Sequence, residues 1–142
     1  MSNATQPRAV ETEALKEAYA AFNRNDIRAT VEALDPQIEW TEPAEFPGGG
    51  TYHGHAEVQA YLSQSRKVWA EGSSEPERFI VAGNKIIVFV HVRVRPKDSA
   101  EWHEMRIADV FTFRNGKAIQ MPAFADRRQA LDWAGVKGAD AN

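Results

Sequence analysis

The chain has 142 residues, 43% apolar and 26% charged, with no cysteine and a formal charge of −3. That length suits one domain, and the apolar fraction supports a core, which excludes wholesale disorder. Disulfides, thiol catalysis and cysteine-ligated metals are excluded by composition, and no clustered basic excess points to nucleic acid as a partner.

The polar segments 1–7 and 137–142 are expected to be flexible, around a single domain (1–142) with its core at about 8–136. The N-terminal MSNATQPRAVETE lacks the apolar run of a signal peptide. The longest apolar stretch, 86–92, is interrupted by His91 and is too short to span a bilayer. A cytoplasmic protein without a membrane partner is therefore expected.

Val10, Ala14, Leu15, Ala18, Tyr19 and Phe22 recur at helical spacing and predict an amphipathic first helix ending near Asn23–Asn25. Asp26 reads as the N-cap of a short second helix carrying Ile27, Val31 and Leu34, stopped by Asp35-Pro36. Residues 37–42 alternate as a strand with Ile38, Trp40 and Glu42 on one face. The loop 43–50 follows, its three consecutive glycines making it the most deformable part of the chain. A third helix is predicted after Gly54-His55, bearing Val58, Tyr61, Leu62, Val68 and Trp69, with Gly72 as C-cap. Residues 79–82 and 85–95 flank Gly83-Asn84, and 101–113 and 117–125 flank Asn115-Gly116, two hairpin signals. Asp126 caps a last helix with Ala130, Leu131 and Ala134 inside, closed by Gly135.

The order α-α-β-α-β-β-β-β-α, with hairpins in place of helical crossovers, predicts an α+β fold: a mostly antiparallel sheet packed on N-terminal helices. Curved into a cone-shaped roll, such a sheet encloses a concave face suited to a small-molecule pocket.

A polar group where the pattern predicts burial is the informative observation. Glu42 shares a strand face with Ile38 and Trp40; Asp109 shares one with Met105, Ile107, Phe111 and Phe113. Desolvation disfavours a carboxylate's charged form, creating either a base that works near neutral pH or a neutral hydrogen-bond donor. The bland alternatives are a solvated strand end for Glu42 and an arginine partner or backbone donors for Asp109. His103 falls on the Asp109 face. His53 and His55 flank a turn glycine, and their spacing is too uninformative to predict a metal site. Tyr19, Trp40, Tyr61, Trp69 and Trp133 read as core or interface aromatics, and Met105, Phe111 and Met121 as core. No nucleophile elbow, phosphate loop or nucleotide fingerprint occurs.

The segments AYAAFNRNDIRATVEALDPQIEWTEP, TYHGHAEVQAYL and ADVFTFRNGKAIQMPAFADRRQALDWAG resemble the nuclear-transport-factor-2-like superfamily, and within it the SnoaL-like and ketosteroid-isomerase-like proteins. The resemblance spans nearly the whole chain. It implies that Glu42 stands at the isomerase's proton-shuttling carboxylate and Asp109 at its protonated, oxyanion-binding one. The isomerase's helix-1 tyrosine falls on Ala18 when anchored on Asn23, one position from Tyr19. The epoxide-hydrolase branch is disfavoured: Arg106 and Asp109 are three apart and face opposite sides.

The expectation is a cofactor-independent pocket protein for a small apolar carbonyl ligand, an isomerase or aldol-type cyclase with Glu42 and Asp109 as its catalytic pair. Tyr19, Trp40, Tyr61, His103, Met105, Phe111 and Met121 would contact the substrate. The alternative is a non-catalytic binding or dimerisation domain of the same fold. The resemblance implies a homodimer through the sheet, whose outward face is expected to show Trp102, Val110 and Thr112.

Overall fold

The computed structural model describes residues 8–137. The segment 1–7 and the residues after Lys137 lie outside the described residues. Helix α1 (Ala9–Asn23) and the four-residue α2 (Ile27–Thr30) precede a 3₁₀ turn at Val31–Ala33. Asp26 caps α2 by accepting from the Ala29 N–H at 3.2 Å. Then come β1 (Leu34–Glu42), β2 (Gly50–His53), α3 (Gly54–Lys67), β3 (Trp69–Ala82), β4 (Lys85–Pro96), β5 (His103–Arg114), β6 (Lys117–Phe124) and α4 (Arg127–Ala134). No described helix is long and apolar enough to cross a membrane.

The six strands form one curved open sheet in the order β2-β1-β6-β5-β4-β3. Every neighbouring pair is antiparallel except β1–β6. The mixed α+β architecture is therefore as expected, and its boundaries differ in several places: Leu34, expected on the second helix, opens β1, which runs through Asp35-Pro36. The four-residue edge strand β2 was not anticipated; it pairs with β1 just past the triple-glycine loop. The third helix stops at Lys67, so Trp69 opens β3. Gly72 is a strand residue opposite Val94 and caps no helix. Its φ is +149°, and a Cβ there would stand 2.5 Å from the Arg93 carbonyl, so glycine permits the close approach of β3 to β4. In the Asn115-Gly116 turn both residues have positive φ (54° and 83°), as the tight hairpin requires.

Both faces of the sheet are covered, which is why Ile86–Val90 reads as an unbroken apolar run. On the concave side Ile86, Val88, Val90, Phe111 and Phe113 pack with Leu15, Ile38, Val58 and Leu62. On the convex side Ile87, Phe89, Ala108 and Val110 pack under Ala130 and Leu131 of α4. This corrects the expected open sheet face: Val110 is fully buried and Thr112 6% exposed, whereas Trp102, ahead of β5, is 45% exposed. On this side α4 covers Ile87, Phe89, Ala108 and Val110.

Candidate active site

The end of β1 and the middle of β5 project their alternate residues onto the concave face, where α1 and α3 close over them. The result is a cavity of about 230 Å³. Tyr19, Trp40, Glu42, Tyr61, Asp109 and Phe111 all line it, together with aliphatic residues such as Leu15, Leu62 and Ile107. No lysine, arginine or histidine is among the lining residues, so the two carboxylates meet no cation there. The expected alternative of an arginine partner for Asp109 is thereby removed.

Each carboxylate is held by an uncharged aromatic donor. The Trp40 indole Nε1–H donates to Glu42 Oε2 at 2.7 Å, a contact between two residues on the same face of β1. The Tyr19 hydroxyl donates to Asp109 Oδ2 at 2.6 Å. Phe111, two residues beyond Asp109 on the same face of β5, meets both donors edge-on. Its ring centroid lies 6.4 Å from that of Tyr19 and 6.3 Å from that of Trp40, at interplanar angles of 84° and 76°. One buried ring thus fixes the orientation of both.

Burial raises both carboxyls. Glu42 is pushed up to about 7, by desolvation first and the neighbouring Asp109 charge second, against donation from Trp40 and Tyr61. Asp109 is pushed up to about 6 by desolvation, with the Tyr19 hydrogen bond holding it back. Tyr19 and Tyr61 are themselves raised, both mainly by burial. The Tyr19 hydrogen bond favours the ionised form of Asp109, as those from Trp40 and Tyr61 favour the ionised form of Glu42.

The remaining expected site residues are elsewhere. Met121 is fully buried on β6 opposite Trp40, in the core and outside the cavity lining. His103 and Met105 do lie on the Asp109 face of β5, but where the strand runs out into solvent; Met105 is 44% exposed. His91 sits between Glu77 and Glu104, away from the cavity.

Two features escaped the sequence reading. Tyr19 reaches Asp109 although the resemblance put the isomerase's tyrosine at Ala18. Trp69 and Phe22 form part of the cavity wall, their rings 5.4 Å apart and edge-on, with the Arg66 guanidinium 4.7 Å from the Trp69 ring centroid. The spacing of Leu15, Ala18, Tyr19 and Phe22 already marked one helix face and was signal enough for Phe22.

The Tyr19–Asp109 contact carries an expected result. Tyr19→Phe removes the one group that lowers Asp109, so its carboxyl is expected to titrate above about 6. Carbon-detected NMR of the Asp109 side chain measures this; an unchanged or lower midpoint would mean that the hydrogen bond does not act on the carboxylate.

Comparison with solved structures shows that the chain has the NTF2-like fold. It matches an NTF2-like protein of unknown function from Burkholderia pseudomallei at 29% identity and TM-score 0.75, over 87% of this chain and 96% of that one. It matches TerC, co-crystallized with polyporic acid, at 25% identity and TM-score 0.74, over 89% and 99%. A putative polyketide cyclase from Xanthomonas campestris shares the fold at 14% identity and TM-score 0.71, over 89% and 98%. No curated protein matches the chain. The SnoaL-like domain family matches residues 15–121, and the chain belongs to that family.

Proposed function

We propose that the cavity binds a small, mainly apolar carbonyl compound and moves a proton at the carbon next to the carbonyl. The observation that carries this reading is the pair of desolvated carboxylates in one apolar cavity, each bonded to an uncharged donor. A base whose pKa lies near the working pH combines a usable ionised fraction with proton-transfer driving force. Glu42, at about 7, meets that condition. Ionised Glu42 takes the α-proton, the C–H electron pair moves into the enolate, and its oxygen accepts a hydrogen bond from protonated Asp109. Glu42 then returns the proton to the same carbon or to one conjugated with it. An aldol-type ring closure uses the same first step, with the enolate carbon attacking a second carbonyl of the substrate.

The pair holds one proton near neutrality, and the reaction needs it on Asp109. Glu42 and Asp109 share one cavity and titrate as a coupled pair, so a proton on one favours the ionised form of the other. A ligand carbonyl that accepts a hydrogen bond from protonated Asp109 favours the form with the proton on Asp109. The co-crystallization of TerC with polyporic acid supports an organic ligand for a relative of this similarity.

The test is solvent deuterium exchange into the α-positions of a panel of cyclic ketones, followed by proton NMR. Exchange above the buffer rate supports the proposal, and none across the panel would sink it. A second reading, a binding protein without turnover, draws on the same hydrogen bonds. Glu42 and Asp109 already satisfy the buried Trp40 and Tyr19 donors, a role that requires no chemistry. Ligand binding without exchange would favour it.

A further inference from the structure

The inner cavity, at about 230 Å³, is small for a ligand site. An apolar cavity of about 150 Å³ admits benzene, and sites for drug-sized ligands run from about 300 to 1,000 Å³. The cavity therefore holds one substituted ring and little more. Tyr61, Ser65 and Trp69 border it on one side and a broad outer groove on the other. Phe46, Val68, Val94 and Met105 line that groove, and Val68 and Met105 are 50% and 44% exposed.

The partition between the two spaces is built. Tyr61 stacks on Tyr52 with ring centroids 4.6 Å apart and planes at 28°. The Tyr52 hydroxyl donates to the Gly48 carbonyl at 2.6 Å. Gly48 has a φ of +80°, and a Cβ there would lie 2.9 Å from Tyr61 Cε1. The glycine loop thus rests directly on the ring that stands between the carboxylates and the groove.

We propose that the binding site continues past Tyr61 into this groove and takes an elongated apolar carbonyl compound, its polar head in the inner cavity and its tail against Val68, Val94 and Met105. The inference rests on the pocket reading above and extends it to the length of the ligand. Continuity of the two walls and the small inner volume commit the groove to the ligand's own tail.

The test is a series of 4-alkylcyclohexanones, methyl to hexyl, bound to the full chain and followed by the fluorescence of the lining Trp40 and Trp69. Val68→Glu, at a half-exposed position that tolerates charge, is measured alongside. A buried methylene is worth about fourfold in affinity. The hexyl compound is expected to bind at least tenfold more tightly than the methyl one. Val68→Glu should abolish most of that gain while leaving methyl affinity within about twofold. Weaker binding of hexyl than of methyl, or an equal loss for both in Val68→Glu, would overturn the proposal. So would a change of oligomeric state in that variant, which would make a second copy the occupant of the groove. If the methyl compound does not bind at all, the pocket reading fails and the extension falls with it.

Discussion

Glu42→Gln is expected to lower α-proton exchange by about 10²- to 10⁴-fold, the range by which a positioned general base contributes. The substitution keeps the side chain's size and an oxygen acceptor for the Trp40 indole, so the wall around it should stay in place. Only the proton-accepting capacity is lost. Ligand affinity is therefore expected to change little while exchange collapses, a split that separates a chemical role from a packing role. Exchange in Glu42→Gln within about threefold of the parent would remove Glu42 from the mechanism.

The same desolvation that tunes the carboxyls costs stability, and its sign is fixed by linkage. Both native pKa values lie above the ordinary ones: about 7 against 4.5 for Glu42, about 6 against 3.8 for Asp109. Between the unfolded and folded values the native state holds the extra proton, so stability falls as pH rises through that window. For either group the loss is about 3 kcal/mol, complete near pH 8 and absent only below about pH 3. Asp109→Asn removes the ionisation and retains an acceptor for the Tyr19 hydroxyl. Its stability relative to the parent should be near zero at pH 3 and rise to about 2–3 kcal/mol in its favour at pH 8. Urea denaturation at a series of pH values measures the difference. A pH-independent difference, or one that favours the parent at high pH, would mean that Asp109 is solvated or charge-stabilised in the native state. A stabilised variant that has lost activity is the trade expected of a strained functional site.

The two carboxylates were legible in the sequence because a strand alternates with period two, and no register shift separates Glu42 from Trp40 or Asp109 from Phe111; on β1 the shift lies between Leu34 and Glu39. The register shift between β5 and β6 falls at Thr112/Phe113, beyond Asp109. Parity gives the face of a strand and says nothing about depth along it. Met105 and His103 share the face of Asp109 and are nevertheless exposed, because β5 leaves the cone before reaching them. The helical spacing that carries Val58, Tyr61 and Leu62 runs on by coincidence to Trp69, and Gly72 looks like a cap. Pairing with β4 decided that segment, and tertiary pairing is invisible to local periodicity. Tyr19 was one helical position from the place implied by resemblance, yet a long side chain on a helix facing the sheet still reached Asp109.

The central claim is that one apolar cavity holds two carboxyls that resist ionisation. Carbon-detected NMR titration of Glu42 and Asp109 in the full chain, with Glu42→Gln and Asp109→Asn to assign the signals, tests it directly. Midpoints near 7 for Glu42 and near 6 for Asp109 are predicted. Midpoints near 4 for both would mean solvated, ordinary carboxylates and would contradict the proposed proton transfer.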